Sequence, residues 1–173
     1  MDKFLNLIGK KYVLLTLFFA TLIFNFLLSY FMPKDYALDL KFAYTYWEAI
    51  QSLSAMDLNT RNLYRAGIWI LDFPYLLIYS SFLIGILVKL YGKQPIIWLP
   101  LLVGTVDLFE NILETILLNT FPFTSHLLVL FASFFTTCKW ILVAGVGLSI
   151  IVGVVKLFLF KKHPLHSKSE VEI

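Results

Sequence analysis

The sequence predicts an all-α integral membrane protein, a four-helix antiparallel bundle with a short amphipathic helix in its first outer loop. Three observations carry that expectation. Of 173 residues, 60% are hydrophobic and 14% charged, more Leu, Ile and Phe than the interior of a soluble domain this small would absorb. Four apolar stretches, at about 12–32, 66–91, 96–121 and 126–160, are each long enough to cross a ~30 Å hydrocarbon core at 1.5 Å per residue. The third observation is where Lys and Arg fall: the N-terminal segment, the Lys89/Lys93 link and the C-terminal tail hold nine, the first outer loop four, and the link after the third stretch none. That bias expects both termini on the cytoplasmic side, and an even number of spans keeps them together in either orientation. Residues 1–160 thus form one four-span unit with an outer loop at 33–65, and 161–173 form a polar cytoplasmic tail.

Each element has its own signal. Lys3, Lys10 and Lys11 precede the first span, and no small-x-small cleavage pattern follows it, so it is expected to be an uncleaved anchor. Thr21, Asn25 and Ser29 recur every four residues along it, a polar stripe suited to packing against another helix. In the outer loop, Thr45 and Glu48 have capping-box spacing, which predicts a helix from Tyr46 to about Ala55 carrying Tyr46, Trp47, Ile50 and Leu53. That helix either covers the outer mouth of the bundle or lies among the headgroups. Asp57 offers a second N-cap, from which Arg61, Tyr64 and Arg65 lead into the second span. There Asp72 stands two residues before Pro74, which cannot donate to the Ile70 carbonyl, so a bend is expected beside an acid.

The third span holds the main anomaly. Asp107, Glu110, Asn111 and Glu114 fall within an arc of roughly 100° on one helix face. A charged group at mid-membrane costs about 3 kcal/mol on insertion scales, so this face must look inward. The fourth span carries Lys139 in its middle, then Gly145, Ser149 and Gly153 at the four-residue spacing that lets helices approach closely. Those three could also meet a second copy or another membrane partner, and Gly145→Leu is expected to force neighbours apart.

Depth counted along the spans sets Asp107 level with Lys139, roughly 20 Å from the outer boundary, and Asp72 level with Glu114 at roughly 10 Å, near Arg65 and Tyr64. The first level predicts a Lys139–Asp107 ion pair, and the second a possible Arg65 partner for Asp72. Acids inside the spans outnumber the bases, so at least one carboxyl is expected to remain neutral. Asp72, Asp107, Glu110, Glu114 and Lys139 are therefore the candidates for any proton-transfer chemistry. Asn25, Arg65, Tyr75, Asn111 and Trp140 join Asp72, Glu110, Glu114 and Lys139 as candidate ligand-binding residues.

Several classes are excluded or disfavoured. A single cysteine, Cys138, rules out an internal disulfide or a CxxC site, and His126, His163 and His166 lack metal-ligand spacing, so neither a metal nor another cofactor is expected. The +3 net charge comes from basic span ends and not from a nucleic-acid patch. Glycine-rich phosphate cradles and a Ser-His-Asp order are absent.

On Arg61-Asn62-Leu63-Tyr64, Leu71-Asp72-Phe73-Pro74-Tyr75, Asp107-Leu108-Phe109-Glu110-Asn111 and Lys139-Trp140, the chain resembles a sparsely characterised family of small four-span membrane proteins. The resemblance covers about Tyr44 to Trp140 and brings no activity with it. In architecture and in its acid-proline pairing the chain is more loosely similar to the EXPERA group, the emopamil-binding and sigma-2-type relatives. That likeness implies a long first outer loop, acids among the helices and a bundle that holds sterol-like amphiphiles. The histidine that isomerase members place in the pocket has no counterpart here, so the likeness implies binding and not isomerase chemistry.

Three functions follow as expectations. The first is a bundle that binds or processes a lipid-like or amphiphilic small molecule, its head on the acids and its body against aromatics such as Phe73, Tyr75 and Trp140. The second is a proton-linked carrier or ion-path subunit, which would need to oligomerise because one four-span chain has no inverted repeat. The third is a non-catalytic assembly subunit. A cavity among the buried acids separates the first from the third.

Overall fold

The computed structural model describes residues 2–161. Except for Lys161, the tail expected at 161–173 lies outside them. Seven α-helices follow one another: α1 Asp2–Ile8, α2 Lys11–Phe31, α3 Tyr46–Ala55, α4 Leu58–Gly67, α5 Phe73–Tyr91, α6 Leu99–Thr120 and α7 His126–Lys161. A π-helical turn at Ile68–Asp72 fuses α4 to α5, so Leu58–Tyr91 is one continuous 34-residue helix, and a 3-10 turn at Pro95–Trp98 leads into α6. Four helices are long and apolar enough to cross a membrane, which makes the chain a multi-pass, all-α bundle.

The short α1 has no strong sequence signal, and tertiary contact explains it. Leu5 and Ile8 bury themselves against Ile84, Leu87 and Ile97, and Asp2 meets Lys93 at 2.6 Å. The capping box forms as the spacing predicts: Glu48 Oε2 accepts from the Thr45 backbone N–H at 2.7 Å, and the Thr45 hydroxyl accepts from Glu48 N–H. Those Thr45 donors hold the Glu48 carboxyl below its ordinary 4.5. Asp57 caps α4 through the Thr60 N–H.

At Pro74 the missing donor is absorbed by widening the helix. Phe73 N–H reaches back to the Ile68 carbonyl, the i→i−5 bond of a π-bulge, and this turn carries Asp72.

Helices α5, α6 and α7 pack on one another, while α2 packs mainly on α5 and buries no residue. Buried apolar side chains gather at both ends of the bundle. One cluster, including Leu38, Leu53, Ile68 and Leu117, lies at the end that holds α3, and the Leu5–Ile97 cluster at the opposite end. Between them the inward face of α6 presents Asp107, Glu110, Asn111 and Glu114, all buried as the helical arc requires.

The loop between α2 and α3 is strapped into the bundle's mouth. Ser133, Thr137 and Trp140, on successive turns of α7, take its backbone: Tyr44 N–H donates to Ser133 Oγ at 2.9 Å, while Thr137 Oγ1 and Trp140 Nε1 donate to the Phe42 and Asp39 carbonyls, each at 3.1 Å. These bonds satisfy peptide groups of the loop where it packs on α7. On the other side Leu38 N–H donates to the Tyr64 hydroxyl at 3.2 Å, and Tyr46 stacks on His126 with ring centroids 3.5 Å apart. Of the two placements open for α3, the structure therefore takes the one over the mouth, with Ala49 and Leu53 buried.

The small-residue stripe faces the same chain. At Gly153 an added Cβ would come within 3.0 Å of Leu90 and Tyr91, whereas at Gly145 it would meet only Leu99, at an ordinary 3.7 Å. The tight point of helix approach is thus Gly153 and not Gly145, and the Ser149 carbonyl beside it accepts from Tyr91 at 2.6 Å.

Candidate functional site

The buried acids of α6 are held one by one. Lys139 from α7 places its ammonium 2.6 Å from Glu110 Oε2 and 3.3 Å from Asp107 Oδ1. The expected Lys139–Asp107 pair is present, yet the shorter contact is to Glu110. Thr136, three residues before Lys139 and so on the same face, donates to Glu110 Oε1 at 2.7 Å, and the Tyr79 hydroxyl donates to Asp107 Oδ2 at 2.8 Å. An ion pair in a low-dielectric layer persists only when its remaining lone pairs are satisfied in this way.

Two further contacts lie around this core. Asn111 donates to Asp72 Oδ2 at 2.5 Å. Glu114 Oε2 and Asp39 Oδ1 each lie 3.1 Å from the Tyr64 hydroxyl oxygen, which also accepts the Leu38 N–H. A phenol has one proton to give, so Tyr64 donates to one of these carboxyls at a time. Burial, and then the nearby Glu114 carboxyl, push the Tyr44 phenol well above its ordinary 10.0, keeping it neutral and able to donate.

Asp72 does not meet Arg65. Constant rise counted from the span ends set it level with Glu114, but it bonds to Asn111, about one turn further from the Thr120 end of α6. Arg65 instead points outward to Asn119 and Asn62.

A cavity of about 440 Å³ opens beside this polar layer. Its polar wall includes Asp72, Tyr75, Tyr79, Asp107, Asp39 and the two lysines Lys34 and Lys139; Leu28, Phe82, Leu83, Trp140 and Val143 supply apolar surface. Thr21, Asn25 and Ser29 line it too, so the stripe on α2 faces this space, with Asn25 Nδ2 3.5 Å from the Tyr75 hydroxyl. Comparison with protein-family models, characterised proteins and solved structures finds no match to this chain. The residues themselves must carry the functional reading.

Of the predicted site residues, Asn25, Asp72, Tyr75, Asp107, Lys139 and Trp140 line the cavity. Glu110, Asn111 and Glu114 stand behind them, fully buried, and Arg65 lies elsewhere. Tyr79 and Thr136 were missed, although both had a signal: Tyr79 is seven residues after Asp72, and Thr136 three before Lys139. Asp39 had none, because only the strapped loop brings it in.

The wall offers mainly acceptors and phenols. Asp107 and Glu110 are occupied by Lys139, whereas Asp72 is engaged through Oδ2 by Asn111 and is only partly buried. Asp72 is the carboxyl best placed to meet a ligand group.

Proposed function

We propose that the protein binds an amphiphilic small molecule of the membrane, its polar head at Asp72, Tyr75 and Tyr79 and its apolar body along Phe82, Leu83 and Trp140. The single observation carrying this reading is a cavity whose wall combines partly buried acids with aromatic and aliphatic side chains. Because α2 packs on α5 with at most slight contact to α7, the gap between α2 and α7 gives the cavity a side toward lipid. The acids Asp39, Asp72 and Asp107 outnumber the lysines Lys34 and Lys139, and Lys139 is itself held by Asp107 and Glu110, which favours an amine or hydroxyl head over a carboxylate. A strapped outer loop over an acid-lined bundle is in keeping with the likeness to the EXPERA group. Any proton transfer would fall first to Asp72, with Asp107, Glu110, Glu114 and Lys139 setting the field around it.

The test is thermal unfolding in lipid nanodiscs with dodecylamine, dodecanol and dodecanoate. The amine is expected to stabilise in a saturable way, dodecanoate not at all, and Asp72→Asn to weaken the amine about tenfold, or ~1.4 kcal/mol. Equal effects of all three amphiphiles, or an unchanged Asp72→Asn, would show that the wall does not select the head.

A second reading, proton conduction, draws on the hydrogen-bonded run from Asp39 through Tyr64 to Glu114. Acid-driven proton uptake by liposomes holding the protein, lost in Tyr64→Phe, would favour it.

Both termini belong, on this reading, to the cytoplasmic side, with the loop before α4 outside. In a Cys138→Ser background, an impermeant maleimide added to intact cells is expected to label Asn59→Cys and spare Lys10→Cys. The reverse pattern would invert the topology.

A further inference from the structure

The arginines of α4 take no part in the central cavity, and their surroundings point to a second site. Arg61 and Arg65 line a separate recess of about 450 Å³ with Asn62, Asn119, Phe121 and Leu118, and the two cavities share no residue. No carboxylate lines this recess. The Arg61 guanidinium carbon stands 4.8 Å from the centroid of the Phe121 ring, so the ring covers one face and leaves the in-plane donors. Its Nε is buried without a hydrogen-bond partner. Arg65 is oriented by two amide oxygens, NH1 donating to Asn119 Oδ1 at 2.5 Å and NH2 to Asn62 Oδ1 at 3.1 Å. Among the described residues, neither arginine forms an ion pair. The acid nearest Arg61 in sequence, Asp57, accepts from the Thr60 N–H at the start of the helix.

Two arginines without an ion pair thus face one recess free of carboxylates, on the side of the bundle that the charge bias assigns to the outside. We infer that this recess binds a phosphate group. A carboxylate has two oxygens and is satisfied by one guanidinium fork; two forks one helical turn apart suit an anion with three or more oxygens, which is the phosphate geometry. Asn62 and Asn119 keep their amide N–H groups as further donors once their oxygens hold Arg65. Leu118 and the Phe121 ring supply an apolar flank that a phospholipid's glycerol and first methylenes would cover. The phosphate can belong to an anionic lipid headgroup or be free in solution, and the chemistry that holds it is the same.

The full chain, purified in neutral detergent, is titrated with dioctanoyl phosphatidylglycerol, with dioctanoylglycerol and with inorganic phosphate, binding being followed by calorimetry. Saturable binding of the phosphatidylglycerol, at least tenfold weaker in Arg61→Gln/Arg65→Gln, is the expected result and assigns the site to a lipid. The same loss seen with inorganic phosphate also supports the site and assigns it to a free anion. Arg61→Lys/Arg65→Lys retains charge without the planar forks and is expected to recover only part of the affinity, so it carries the test if the Gln variant does not fold. Dioctanoylglycerol binding as tightly as the phosphatidylglycerol, undiminished binding in both variants, or no saturable binding of either phosphate by the natural chain overturns the assignment.

Discussion

Lys139→Met is expected to destabilise the protein by about 3–5 kcal/mol, the usual cost of removing one partner from a buried ion pair. The ammonium it deletes touches both Glu110 and Asp107, whose side chains are 0% and 7% exposed. Without it two carboxyls share a dry layer with only Thr136 and Tyr79 as donors. Unfolding temperature in detergent measures the loss. Asp107→Asn alone is not expected to rescue Lys139→Met, because the shorter contact is to Glu110; Glu110→Gln should rescue more, and both together most, since no uncompensated charge remains. Rescue by Asp107→Asn with none by Glu110→Gln would show that the geometry of the pair is misassigned. A rescued triple variant that unfolds normally yet fails to bind dodecylamine would place the cluster in the site as well as in the scaffold.

Tyr64→Phe is the second large effect, expected at about 3 kcal/mol because one hydroxyl serves three groups, each costing ~1–3 kcal/mol when buried and unpaired. Leu38 N–H, Asp39 and Glu114 all meet that oxygen, and Tyr64 is 1% exposed. The substitution leaves the ring and its packing in place, so the loss reports the polar contacts alone. It should also free the strap: trypsin cleavage at Lys34 and Lys41 is expected to accelerate while cleavage at Lys89 and Lys93 is unchanged. Unfolding and cleavage at the natural rate would mean that Ser133, Thr137 and Trp140 hold the loop without Tyr64.

Much of this organisation was legible before any coordinates. The capping box at Thr45 and Glu48 announced α3 because both halves of the motif are local. The arc of Asp107, Glu110, Asn111 and Glu114 announced a buried polar face because helix geometry alone puts them together and lipid cannot accept them. Lys139 had to find acids for the same reason, and it did.

Sequence by itself therefore determined the spans, the inward polar face and the ion chemistry at its centre, since each follows from helical periodicity and the cost of charge in hydrocarbon. Only the tertiary structure decided which groups face open space. Asp72 turned to Asn111 and not to Arg65 because contact depends on the levels at which neighbouring helices meet, which rise counted along a single span cannot give. Asp39 reached the cavity, and Thr21, Asn25 and Ser29 proved to line it, because a loop anchored at 133, 137 and 140 and a helix leaning on α5 leave that space between them. Such placement depends on contacts between residues 26–101 positions apart, and no local spacing records it.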